Sequence, residues 1–503
     1  MGKTQVKIFL NMGSGLFVQA LLIIIGLVFP KLFIENFGSE VNGLVASITQ
    51  VYSYMILLEA GVGQTSLQAL YSPVAKNNHV KINGILSASK MYYNRASYFY
   101  LLAVILISLI FPITIDIPIP YNQVVMVSLF TGLSGFIRFK NNAVKLNLLR
   151  AEGKEYVVSY FTNYSQIFIY LLKITLIFFG VNIIILQLTD LIITFIQSLV
   201  LKGYFNWNYK HVSFREIPIY ESLRQSKSVI IHQVSGLIFN STDVIFLTYF
   251  TNFTVVSVYM LYNMITNAVN MITIQISTTF NFILGQSIDG DRKKLINKFD
   301  MYEVIYLSIS FALATTLYVL FEPFISSYTQ GFSNAEAYLD EWIALLFSTR
   351  LILVIGRTPF QQLIEASGHF KETQIQSIIE AALNLIVSLI LVIQWGVKGV
   401  LIGTIIATIY RTTDMIVYSN RNILKRSPLK NLIKWASHLI LFIFIVILNQ
   451  SFIANRIEIQ GILHLFIYAV MVLAISFTLN VLVDVIFFKS SIVSVIKLGK
   501  KFF

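Results

Sequence analysis

The chain has 503 residues, 56% of them hydrophobic and only 12% charged, with a mean hydropathy of +0.73. A soluble domain carries about 25% charged residues, so a water-soluble globule is excluded and lipid is the expected solvent. No cysteine is present, which removes disulfides, thiol nucleophiles and Cys-type metal sites, and the formal charge of +13 must be located before it is read as nucleic-acid binding.

A membrane helix needs about 20 mainly apolar residues. Fourteen such runs are predicted, at 12–34, 41–70, 96–115, 121–149, 156–179, 181–203, 227–250, 254–285, 301–321, 342–367, 371–395, 397–421, 432–450 and 461–488. The first run is not followed by a small-residue cleavage site and is expected to be retained. No connecting loop is longer than about 25 residues, too short for a soluble catalytic domain. With both termini inside, Lys and Arg concentrate in the inner segments, while the outer loops hold only Lys31, Lys398 and Arg456. Cytoplasmic loops are enriched in these residues, so the alternation accounts for most of the basic excess without nucleic acid.

Sliding the chain against itself by about 215 residues aligns landmarks in order. Val41-Asn42-Gly43-Leu44 meets Val255-Val256-Ser257-Val258, and Lys81-Ile82-Asn83 meets Leu295-Ile296-Asn297. Leu148 to Lys154 meets Leu363 to His369, and Gly180-Val181 meets Gly396-Val397. Six plus six spans make this a parallel repeat, in which substrate is expected between the halves. The expected fold is an all-α membrane protein of fourteen helices. It comprises a six-helix bundle over 1–226, a second over 227–430, and helices thirteen and fourteen over 431–503.

The stretch from Phe37-Gly38-Ser39-Glu40 to Tyr71, with Glu59-Ala60-Gly61-Val62-Gly63-Gln64, resembles the start of the Wzx-type polysaccharide flippases of the MATE/MurJ-like (MOP) superfamily. The Arg150-Ala151-Glu152-Gly153-Lys154 turn and Val258-Tyr259 carry the same resemblance. It implies a transporter rather than an enzyme, in the bacterial plasma membrane with both termini cytoplasmic. The implied activity is outward flipping of an undecaprenyl-diphosphate-linked oligosaccharide for surface or capsular polysaccharide, by alternating access. Membrane lipids, a glycan polymerase and glycosyltransferases are the implied partners.

Seven cations fall inside predicted spans: Arg138, Lys140, Lys145, Lys173, Arg350, Arg357 and Arg411. Facing lipid, they would together cost on the order of 20 kcal/mol, so most must face water or an acid. Arg138 and Lys145 are seven residues apart, as are Arg350 and Arg357 on the repeat-related helix, which predicts a cationic pair on one face of each. Such pairs suit a diphosphate, because Arg offers a planar donor fork. Lys140 and Lys145 are also placed to snorkel to the inner surface. Asn263, Asn267 and Asn270 form a polar stripe at helical spacing, which fits either substrate contact or interhelical hydrogen bonding. Glu59 and Asp243 are candidates for proton or sodium coupling, with partnering a cation as the alternative role. Lys173 with Asp190 and Arg411 with Asp414 read as structural pairs.

No bound cofactor is expected. Gly2-Lys3-Thr4 lacks the upstream glycine of a phosphate loop, and no HExxH motif occurs. Two other functions fit the same architecture: a lipid II flippase of peptidoglycan synthesis, and a cation-coupled multidrug exporter. The latter should present acids to cationic drugs. A membrane glycosyltransferase needs a large outer loop or an acid cluster, and neither occurs.

Overall fold

The computed structural model describes residues 3–58, 62–115, 119–214, 216–223, 227–285, 292–449, 451 and 461–488. The regular secondary structure among these residues is all helical, with no strand. Among the described residues, ten helical stretches are long and apolar enough to cross a membrane. The chain is a multi-pass membrane protein.

The helices fall into two compact units. One holds Met1–Leu237 with Asn252–Ser257, and the other holds Ile238–Thr251 with Val258–Phe503. In the first unit the order is α1 (Lys3–Ser53), α2 (Val62–Ala75), α3 (His79–Thr114), α4 (Tyr121–Ile137), α5 (Ala143–Ala151), α6 (Glu155–Ser159), α7 (Ser165–Phe178) and α8 (Ile183–Asn208). Two π-helical turns interrupt it, Arg138–Asn142 between α4 and α5 and Tyr160–Tyr164 between α6 and α7. Helices α9 (Lys227–Phe250) and α10 (Phe253–Gly285) each begin in the first unit and continue in the second. The second unit goes on through α11 (Arg292–Tyr328), α12 (Glu341–Gly356), α13 (Thr358–Ala366), α14 (Gln374–Tyr418), α15 (Leu429–Leu448) and α16 (Gly461–Phe487).

Several predicted span boundaries are kinks rather than loops. The break expected between 34 and 41 is a bend in α1 at Gly38, with φ 86°, and the break expected at 396 is a bend in α14 at Gly396, with φ 51°. Positive φ at both places requires a residue without Cβ. Beyond Gly396 the second arm of α14 lies against the first. A Cβ on Gly399 would sit 2.2 Å from the Leu391 carbonyl oxygen, and one on Gly403 would sit 2.3 Å from Ser388 Oγ. Small residues let membrane helices approach to this distance. The predicted span 121–149 is instead α4, a π turn and α5, because a five-residue stretch bonds i to i+5 there.

The first unit's core runs through Ile48, Leu70, Leu86, Tyr93, Val104, Val124, Leu149, Leu186 and Leu201. Polar side chains inside it are bonded locally. Tyr52 Oη meets Ser108 and Ser128 Oγ at 3.1 and 3.0 Å, and Asn147 Nδ2 donates to Ser66 Oγ and the Gly63 carbonyl. At the end of α8, Tyr209 donates to Glu152 at 2.6 Å and Lys154 donates to Tyr209 at 2.8 Å. Burial, then the Glu152 carboxylate, pushes the Tyr209 phenol upward.

In the second unit α11 is the central helix, packed by α12, α15 and α16. Its buried face carries Phe299, Tyr302, Phe311 and Phe321. Lys434, read from sequence among the inner basic residues, is fully buried on α15 and paired with Glu303 of α11 at 2.5 Å. Its proximity to a predicted span end concealed a helix-to-helix ion pair.

Candidate functional site

The first unit contains a cavity of about 700 Å³. Its walls are built where the two π turns interrupt regular helix. An i to i+5 turn inserts one residue and re-aims the side chains that follow, and such bulges recur at functional sites. One turn brings Arg138 and Asn142 to the cavity, and the other brings Thr162 and Asn163. Gln166 on α7, Gln197 on α8 and Arg150 at the end of α5 complete the polar lining.

The charge of this lining is one-sided. Two guanidiniums and a set of amides and hydroxyls face the space, and no carboxylate is among the lining residues described. Arg138 is exposed and donates to Thr194 Oγ1 at 3.2 Å, and it forms no ion pair among the described residues. Arg150 has Glu155 at 3.6 Å, but both side chains are well exposed, so the pair is weak. Asn142 is buried, and its Oδ1 has no hydrogen-bond partner among the described residues. Leaving such an acceptor unmet costs about 1–3 kcal/mol. The cavity therefore offers cationic donors and amides to an anionic, hydroxyl-rich ligand, and nothing to balance a cation.

Lys145 does not line this cavity; its ammonium donates to the Asn141 carbonyl at 2.7 Å. The seven-residue spacing from Arg138 predicts a shared face only along a regular α-helix. The π turn between them adds a residue and rotates the register. Lys140 lies over the rings of Tyr98 and Phe136. Lys173 is paired with Asp190, as its sequence position implied.

In the second unit the cations are compensated. Arg350 donates to Tyr259 Oη at 3.1 Å and reaches Asn263 Oδ1 at 3.5 Å, and Tyr259 in turn donates to Asp243 at 2.8 Å. Asp243 is 1% exposed and also accepts from Thr404 Oγ1 at 3.2 Å. Asn384 donates to the same Thr404 hydroxyl at 2.9 Å, and its own Oδ1 is buried without a partner among the described residues. Arg357 meets Glu380 at 2.5 Å and lies over the Phe239 ring. Glu380 also has Arg411 at 3.6 Å, and Arg411 bonds Asp414 at 2.8 Å. Arg350 and Arg357 thus belong to separate networks, because α12 ends at Gly356 and the chain restarts as α13 at Thr358.

Of the asparagine stripe, Asn263 faces Arg350, Asn267 is exposed, and Asn270 is half-buried with its carbonyl accepting from Thr273. Glu59 lies outside the described residues. Sequence reasoning missed Asn142, Asn163, Gln166 and Gln197 as lining residues. They are amides scattered over three predicted spans, and only the two π turns and the packing of α8 bring them together.

No protein-family model matches this sequence, and no curated protein matches it. Solved structures do. The lipid II flippase MurJ, in an inward closed conformation, superposes with a TM-score of 0.67 at 16% identity, covering 95% of this chain and 100% of that one. The inward-facing conformation of a multidrug resistance MATE family transporter of the MOP superfamily gives 0.62 at 16% identity, covering 84% and 99%. The MATE multidrug transporter DinF-BH gives 0.57 at 16% identity, covering 85% and 98%. The fold is that of the MOP transporters. Its MurJ-like match runs through more of this chain than the two MATE matches do, leaving about 5% rather than about 15% uncovered.

Proposed function

We propose that this chain is a flippase for a polyprenyl-diphosphate-linked oligosaccharide, moving it outward across a bacterial plasma membrane by alternating access. The observation that carries the reading is the acid-free cavity holding Arg138 and Arg150 beside five amide side chains. Guanidiniums bind phosphate oxygens through paired donors, and amides serve sugar hydroxyls as both donor and acceptor. Moving a negative headgroup outward is favoured by a negative-inside potential, by about 2.3 kcal/mol per charge per 100 mV. The fold shared with MurJ supports a lipid-linked substrate. The same cavity disfavours a multidrug exporter for cationic drugs, since no carboxylate is among its described lining residues.

Around this core we place fourteen spans, six plus six plus two, with both termini cytoplasmic, and a surface-polysaccharide polymerase and glycosyltransferases as partners. Arg350, Arg357 and the stripe of Asn263, Asn267 and Asn270 are assigned to a later stage of passage, in which a diphosphate displaces the Tyr259 phenol from Arg350 and the Glu380 carboxylate from Arg357. Asp243, with the unmet Asn384 oxygen close by, is the candidate for proton or sodium coupling; Glu59 shares that assignment on sequence grounds alone. A lipid II flippase remains the second reading because of the MurJ likeness.

The test is flipping of a fluorescent undecaprenyl-diphosphate oligosaccharide in proteoliposomes. Arg138→Ala with Arg150→Ala should reduce the rate tenfold or more while the purified protein keeps its melting midpoint. An unchanged rate in that double variant removes the cavity from the mechanism. Rescue of a lipid II flippase depletion, with no effect on surface glycan, would select the second reading.

A further inference from the structure

The seam where α15 and α16 meet α11 contains a run of polar side chains that the transport reading does not use. Glu303, Lys434, His438 and Asp484 are each 0% exposed. Asn431 donates to both Glu303 oxygens at 2.7 Å, and Lys434 completes that carboxylate's shell. One turn along α15, His438 lies with Nδ1 2.7 Å from Asn480 Oδ1 and Nε2 3.3 Å from Asp484 Oδ1, its ring stacked on Phe311. Ser308 of α11 donates to the other Asp484 oxygen at 2.5 Å.

The hydrogen-bond directions can be worked out from these partners. Asn480 Nδ2 donates to the Ser476 carbonyl at 2.8 Å, so the amide oxygen is the atom presented to His438. His438 Nδ1 must then carry a hydrogen, since an oxygen can only accept. The contact between Nε2 and Asp484 also needs a hydrogen, on one atom or the other. Without it, two lone pairs would oppose each other in a fully enclosed site.

Among the described residues, the titratable groups facing the seam are Asp300 and Glu303 from α11, Lys430, Lys434 and His438 from α15, Asp484 from α16, and Arg426 from the turn before α15. Asp300 is held by Arg426 at 2.6 Å and by the exposed Lys430 at 3.6 Å, and Glu303 is held by Lys434. Asp484 is left with His438, the one partner whose charge is optional near neutral pH. An enclosed intramembrane ionisable pair is costly, which makes it worth testing for a function.

We propose that His438 and Asp484 form a proton-binding site that holds one hydron between them, and that this hydron locks α15 and α16 onto α11. As imidazolium with carboxylate, or as imidazole with carboxylic acid, the occupied pair is neutral overall. Release of the hydron leaves a net negative charge in the enclosed seam, so proton occupancy and closure of the seam are linked. Opening of the seam frees the hydron to leave for water. Closure is therefore coupled to proton uptake, and the closed form weakens as pH rises. The inference is independent of which substrate the cavity carries.

Two measurements on the full chain in nanodiscs or detergent test it. The first is the apparent melting midpoint at pH 6 and pH 9. The native chain should lose about 3 °C or more on going to pH 9, and the variant carrying His438→Gln with Asp484→Asn should lose that pH-dependent part. A native midpoint independent of pH, or a double variant that keeps the whole drop, overturns the proposal. The second needs no change at the pair. With the other five of the six histidines replaced by Gln, the 15N spectrum reports His438 alone. Nδ1 should be protonated, and the ring signals should stay constant between pH 6 and pH 8. A ring that titrates through this range like a free imidazole, or an unprotonated Nδ1, refutes the site.

Discussion

The two units treat the arginines of their sites in opposite ways, although the buried Lys173 of the first is paired with Asp190. In the first, Arg138 and Arg150 line a cavity with no carboxylate among its described lining residues, and Glu155 is an exposed neighbour of Arg150. In the second, Arg350, Arg357, Arg411, Arg426 and Lys434 each reach an acid directly or through one phenol. The contrast separates recognition from cohesion. A cation kept without an acid partner is available to a ligand, and solvation keeps its cost low. A cation with an internal acid stabilises packing only while both partners remain, since removal of one strands the other in low dielectric.

The largest expected effect follows from that asymmetry. Lys434→Met should destabilise the second unit by about 3–5 kcal/mol, because Glu303 is left enclosed with Asn431 as its remaining donor among the described residues. Adding Glu303→Leu should recover most of the loss. Melting of the purified variants checks both, and an unaffected single variant would break the comparison.

A double-mutant cycle on Arg357→Ala and Glu380→Ala comes next. A coupling of about 0.5–3 kcal/mol is expected, as for side chains in one ion-pair network. Coupling near zero would mean that Arg357 is as available as Arg138. For Arg138→Ala the expected order is reversed: stability within about 0.5 kcal/mol of the parent, with the tenfold or greater fall in flipping stated above. Smallest of all, Lys145→Ala should change flipping less than about twofold, because its ammonium turns back to the Asn141 carbonyl. A loss equal to that of Arg138→Ala would restore the single cationic face expected from spacing.

That last variant also marks where sequence reading stops. Helical lipid-embedded architecture, the chain breaks near Gly38 and Gly396, and the pairs Lys173–Asp190 and Arg411–Asp414 were legible, though the breaks proved to be bends rather than loops. Each depends on local composition or on a short separation along a helix. Face-sharing by Arg138 and Lys145 was not, because a π turn leaves no clear trace in hydrophobic period. The partner of Arg357 was hidden for a different reason. Glu380 is 23 residues away on another helix, and nothing in the spacing of either residue announces the pairing. The Lys434 pairing escaped because a base near a predicted span end reads as surface-seeking, when the facing acid of α11 draws it inward.

Guanidiniums without an internal counter-charge attract mobile anions from the surrounding electrolyte, and low-dielectric walls concentrate them. Under the proposed function, a diphosphate entering the cavity would expel that small-ion cloud, whose dilution into bulk is entropically favourable in dilute salt and progressively less so as ionic strength rises. Chloride or inorganic phosphate should then compete with the proposed lipid-linked substrate, and transport should slow as ionic strength rises.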